Sequence, residues 1–246
     1  MFSSVDWNAI AAPERRARGL VIVLPGIEGL SRWNKSIVRG LLAANVPYAI
    51  ERFDWTTGWR PLAIYHLRAR KLQQRSADRL AEKLIAYRDE FPTQPVYLIG
   101  HSGGGAMTLK TLALLPDDKK ATGGILLGPS MSPWYDYQPA LDRTTHGIWN
   151  FSSWGDVFFL AIGTTVAGTV DGYHSPCAGM TGFAKRHTAS SASIEGPQLY
   201  ERPYQLKYAS RWNFAGHFGY VAAPFVRDEV APLLIDPRIH IEEPST

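Results

Sequence analysis

The chain has 246 residues, enough for one α/β domain with a sizeable core and too few for a comfortable second. A hydrophobic content of 45% and a charged content of 20% are those of an ordinary globular protein and exclude a disordered or fibrous chain. The net charge of +4 is mild, and the single cysteine, Cys177, excludes an internal disulfide and gives no support to a thiol metal site. No apolar run approaches the ~18 residues that a bilayer span needs. Residues 1–18 read as an N-terminal extension without a secretory apolar block, so a cytoplasmic location is expected.

Gly19 to Leu24 form a near-continuous apolar run, the pattern of a parallel strand covered on both faces. Pro25-Gly26-Ile27-Glu28-Gly29 ends it, and Ser31 caps a helical stretch through Ile37, Val38, Leu41 and Leu42. Tyr48 to Phe53 read as a second strand. A long basic helix follows, roughly His66 to Glu90, stopped by Pro92. Its arginines (Arg68, Arg70, Arg75 and Arg79) alternate with leucines as on the solvated face of an amphipathic helix, and a nucleic-acid surface is not expected. Val96 to Gly100 is a buried strand that turns directly into a helix ended by Pro116. Gly124–Gly128 and Gly147–Ser152 are further strands. Residues 161–196, crowded with Gly, Thr, Ser and His, read as an irregular excursion on the active-site side. A last strand is predicted near Tyr204–Tyr208 and a closing helix over Val221–Leu234, interrupted by Pro224 and Pro232. Strand and helix signals alternate throughout, which calls for a mostly parallel, doubly wound sheet with helices on both faces, spanning 1–246 as one domain.

The chemistry centres on Gly100-His101-Ser102-Gly103-Gly104. This G-x-S-x-G lies between a strand and a helix, and such a turn has room only for glycine two positions either side of the serine. The serine is then perched on a strained bend at the strand's carboxyl end, with the first N–H groups of the next helix aimed at the same point. A serine hydroxyl needs a base held in one tautomer by a carboxylate. His217, flanked by Gly216 and Gly219 after the last strand, is the expected base, with His174 and His187 as fallbacks. His101 should point away from the site. Asp156, after the strand Gly147–Ser152, is the expected acid and Asp171 the alternative, with Asp136 and Glu195 behind them. An oxyanion hole needs two N–H groups on one oxygen: Gly103 offers one and Ile27 the other.

In these features the chain resembles the α/β-hydrolase superfamily, in the order Ser102, Asp156, His217, over about Gly19 to Leu234. The resemblance implies an acyl-enzyme hydrolase. The segment between Gly128 and Gly147 is too brief for a large lid domain, which points to an open-faced esterase, thioesterase or amidase. Trp33, Trp55, Trp59, Trp134, Tyr135 and Trp154 fall in loops at the expected active-site edge and would wall a pocket for an apolar or aromatic group of a small ester. No phosphate-cradling loop or metal-ligand spacing occurs, so neither a cofactor nor a metal is implied. The competing reading is a non-catalytic protein of the same fold that uses the aromatic cleft for binding.

Overall fold

The computed structural model describes residues 5–155, 168–184 and 196–236. Six strands form one sheet in the order β2-β1-β3-β4-β5-β6: β1 Leu20–Leu24, β2 Ala49–Arg52, β3 Val96–His101, β4 Ala121–Leu127, β5 Thr144–Ser152 and β6 Gln198–Pro203. Every neighbouring pair is parallel. The chain winds outward from β1 to β2, then returns to place β3 on β1's other side. That reversal leaves a crevice beyond the carboxyl ends of β1 and β3, where ligands of open α/β sheets bind. The register pairs Leu24 with Gly100, so the loops that follow the two strands start side by side.

The alternation of side chains divides the apolar residues between two layers. Leu20, Ile22, Leu24 and Leu98 face the helices Arg70–Glu90 and Gly103–Leu112, meeting Leu80, Leu84 and Met107. Val21, Val23, Tyr97 and Ile99 face the helix Arg32–Ala43 and the carboxyl-terminal helices, meeting Ile37, Val38, Leu41 and Phe225. All five residues of β1 are buried, as its unbroken apolar run requires. Ser31 caps its helix as expected: its hydroxyl accepts from Trp33 N–H, and the Asn34 side chain accepts from Ser31 N–H.

Three expectations are corrected. The basic helix is two helices, Ala63–Arg68 and Arg70–Glu90. The break at Ala69 is held by Gln73, whose amide donates to the carbonyls of His66 and Leu67 and so satisfies the end of the first helix. Arg68, Arg70, Arg75 and Arg79 are exposed, while Ala77, Leu80, Leu84 and Tyr87 form the buried stripe. The last strand is Gln198–Pro203, and the predicted span Tyr204–Tyr208 instead leads into a 3-10 helix, Leu206–Arg211. Tyr204 and Tyr208 pack edge to face at 5.9 Å, so their aromatic character serves helix packing, not a sheet. The closing helix begins at Ala223 and passes through a π-helical stretch, Val226–Val230, before Ala231–Ile235. Pro232 supplies no N–H, and the irregular stretch just ahead of it absorbs that gap.

Residues Trp7–Ile10 and Pro13–Arg16 of the N-terminal extension are short helices, and Arg15 ties them to the sheet through the carbonyls of Val46 and Tyr48. The described part of the excursion lies along residues 129–133: Val170 N–H donates to Ser130, Ala178 N–H to Met131 and Gly179 N–H to Pro129. Among the described residues no helix is long and apolar enough to cross a membrane.

Candidate active site

Ser102 follows β3 without a spacer and precedes the helix Gly103–Leu112. Its backbone sits at φ 54° and ψ −120°, a strained conformation for a residue with a side chain, and one that active sites concentrate. The surroundings hold it there. Ser102 N–H donates to Leu127 and Ser130 N–H donates to the Ser102 carbonyl, so β4 and the loop after it grip the bend from both sides. A side chain at Gly100 would run into the backbone of Gly104, and one at Gly104 would come within 2.5 Å of Pro25 O and 2.6 Å of Leu24 O. Each flanking glycine is therefore a place where two backbones touch.

The helix turn and the β1 loop meet beside this serine. A Cβ at Gly103 would lie 3.5 Å from Ile27 N and 2.9 Å from the Ile27 side chain. Among the described residues, the N–H groups of Ile27 and Gly103 have no acceptor. Ile27 is fixed from behind by His66, a fully buried ring between Ile27 O at 2.7 Å and Thr57 Oγ1 at 2.9 Å. Since a carbonyl only accepts, Nδ1 carries the proton and Nε2 accepts from Thr57.

Three more side chains complete the surroundings of Ser102. Its hydroxyl is 3.0 Å from Ser130 Oγ, a buried group three residues past the end of β4. His217 is brought to the carboxyl end of β3, where its ring lies 4.7 Å from that of His101. His101 Nε2–H donates to the His217 carbonyl at 3.1 Å and so anchors the histidine loop. Enclosure, followed by the neighbouring His217 imidazole, pushes the His101 pKa down to about 3, and the ring is neutral. Glu28 reaches back over Gly26: a Cβ there would collide with its carboxylate while lying 3.4 Å from Ser102 Cβ. Its Oε1 accepts from Ser31 Oγ at 3.2 Å. Burial raises the Glu28 pKa, and its own backbone N–H, Ser31, His217 and Arg60 work against that rise.

Asp156 lies outside the described residues, as does His187. Asp171 accepts from Ser132 N–H at 3.0 Å, on the Ser130 side of the site, where its charge also acts on Lys110 and Tyr135. The aromatic residues divide. Trp55 is enclosed, donates to Pro25 O at 2.7 Å and lies under Gly103 as part of the floor. Trp33 is half-buried and stacks on Phe218 at 4.3 Å, next to His217. Tyr135 is half-buried, whereas Trp59, Trp134 and Trp154 are exposed. Trp134 borders an apolar depression of about 380 Å³ with Pro133, Pro176 and Phe183, one loop beyond Ser130.

Ser130, Glu28 and His66 were not singled out from the sequence. Ser130 becomes legible only once β4 is known to pair with β3, since Leu127 aligns with His101. Glu28 stands inside the loop read for its backbone N–H alone, and an acid there was the available signal.

An all-parallel sheet wound about a strand–serine–helix bend, with the β1 loop and a late histidine loop at the same edge, is the α/β-hydrolase fold. No family model matches the chain, and no curated protein matches it in sequence. Among solved structures it is similar to LpqC, a poly(3-hydroxybutyrate) depolymerase from Bordetella parapertussis. The two are 15% identical over 90% of this chain and 81% of that one, with a TM-score of 0.54. An acetylxylan esterase aligns over 87% of this chain and 98% of its own, at 13% identity and a TM-score of 0.43. A dienelactone hydrolase-like promiscuous phosphotriesterase from metagenomic libraries aligns over 56% of this chain and 58% of that one, at 19% identity and a TM-score of 0.38. At 15% identity the likeness to the depolymerase is one of fold.

Proposed function

We propose that the chain is a serine hydrolase that cleaves a carboxylic ester, or a related thioester or amide, through an acyl-enzyme. The Ser102 hydroxyl, 3.0 Å from Ser130 Oγ in the free chain, is the attacking group, and His217 is its proposed base. The oxygen attacks the substrate carbonyl carbon while His217 takes the proton. The negative charge that develops on the carbonyl oxygen is held by the N–H groups of Gly103 and Ile27. Collapse expels the alcohol, which receives the proton from His217. A water then repeats the sequence: His217 takes its proton, the hydroxyl adds to the acyl carbon, and Ser102 leaves with the proton returned. Asp156 is the carboxylate proposed to orient His217, with Asp171 turned toward Ser132 and Lys110.

The observation that carries this reading is the conformation of Ser102. A serine held at φ 54° beside two N–H groups without an acceptor among the described residues is costly to maintain and suited to one task. Each such donor is worth roughly a hundredfold or more in rate. Ser102→Ala is expected to lower p-nitrophenyl ester turnover by roughly a millionfold and to abolish labelling by a fluorophosphonate. Undiminished turnover in that variant would end the proposal.

A further inference from the structure

The loops that follow β1 and β2 line a second, open cavity of about 520 Å³ that reaches Ser31, the hydroxyl partner of Glu28. Its walls carry Arg32, Lys35, Arg52 and Arg60, together with Ser31 and Trp33. No carboxylate lies within ion-pairing distance of any of the four cations among the described residues. This separates them from Arg16, Lys83, Arg143, Arg211 and Arg227, each of which holds an acid. Two of the four are positioned by aromatic faces: Arg32 lies 4.3 Å over Trp33, and Arg52 lies 3.5 Å over Trp7. Stacking of this kind orients a guanidinium while leaving its N–H edge free to donate.

Two carboxylates lie farther off. Asp54 acts on Arg52 but is tied to Thr56 N–H and Oγ1. Glu28 faces Arg60 and His217, and its burial favours the neutral form. Glu51, next to Arg52 in sequence, is held by Arg16 and Lys83. Four cations against at most two charged acids leave an excess of at least two positive charges around one concavity. The helix Arg32–Ala43 begins in the same wall and directs its positive end there. The cavity also adjoins the chemistry: Ser31 binds Glu28, and Trp33 stacks on the phenylalanine that follows His217.

Resting on the serine-hydrolase reading, we propose that this cavity is a subsite for an anionic oxygen group, phosphate or carboxylate, carried by the ester remote from its scissile carbonyl. Guanidinium groups match such oxygens in pairs, and the half-enclosed wall screens the attraction less than open solvent does. The substrate class is then an ester with an anionic headgroup or an anionic acyl terminus.

Matched esters test this. Mono-4-nitrophenyl glutarate against 4-nitrophenyl butyrate places a carboxylate on the acyl side. Butyryl-glycerol 3-phosphate against butyryl-glycerol places a phosphate on the alcohol side. In one pair or both, kcat/KM is expected to favour the anionic member about tenfold or more at low salt. The Arg32→Gln/Arg60→Gln double variant should remove that preference while turning over 4-nitrophenyl butyrate as before. Calorimetric titration with inorganic phosphate, at ionic strength matched with sodium chloride, reads the site without any turnover. The intact chain should bind and the double variant should not. Hydrolysis of neutral esters with no anionic preference and no phosphate binding overturns the subsite and leaves the hydrolase standing. Phosphate binding that survives the double variant overturns its placement. Phosphate binding lost in the double variant, in a chain that neither turns over an ester nor takes a fluorophosphonate, upholds the anion site and overturns the hydrolase reading.

Discussion

His101→Phe separates what holds the histidine loop from what performs chemistry. The ring is enclosed, with Nε2–H on the His217 carbonyl and Nδ1 without a partner among the described residues. At pH 8 the substitution removes one hydrogen bond, worth about 1 kcal/mol, but also removes a buried unpaired nitrogen, so stability should change by less than about 1 kcal/mol. Acid conditions behave differently. The folded pKa of about 3 is far below the ordinary imidazole value of 6.5, so between these limits the unfolded chain binds a proton that the folded chain does not. Stability from this group is complete above pH 6.5 and is lost as pH falls toward 3. At pH 4.5 the accumulated loss is about 2.7 kcal/mol, from RT ln(1 + 100). Urea unfolding at pH 8 and pH 4.5 measures it. Dividing by a slope of roughly 2–3 kcal/mol/M, the wild-type midpoint should fall about 1 M further than the variant's. Glu28, Glu201 and Glu229, whose raised pKa values act with the opposite sign, and Asp228, whose value is lowered, are common to both proteins and subtract out. Parallel acid dependences in the two proteins would refute the enclosure of a neutral imidazole.

Ser102→Gly should raise stability by about 1 kcal/mol in thermal unfolding, because glycine adopts φ 54° without the penalty a side chain brings, while ester turnover is lost. Gly104→Ala should destabilise the fold by roughly 2–4 kcal/mol in urea, since its Cβ would press on two carbonyl oxygens of the β1 end, neither of which can move freely. Glu201→Ala should cost about 2 kcal/mol by the same measurement, because Phe183 N–H and the Asn150 amide, each 2.8 Å from its carboxylate, lose an acceptor in a buried setting.

Local pattern was enough for the sheet's strands up to β5 and for the bend at Ser102, because each rests on neighbours in sequence. β1 is a run of five buried residues, and Gly100, Ser102 and Gly104 answer contacts within one turn. The same holds for the cap at Ser31. Where pattern misled, a distant partner decided the outcome. Ala69 breaks the basic helix because Gln73 folds back on its carbonyls. Tyr204 and Tyr208 have strand-forming side chains, but they pack edge to face, and Tyr208 also packs against Phe225. Trp55 looks like any loop aromatic until the β1 loop closes over it.

The linear order of residues therefore determined which serine could be a nucleophile and what kind of sheet would present it, since turns and periodicities are set within a few residues. Only the folded chain decided which groups surround that serine. Ser130, Glu28, His66 and the four cations of the neighbouring cavity come from separate stretches, and their meeting depends on the strand order reversing between β1 and β3. That proximity is a property of topology, which no window along the chain contains.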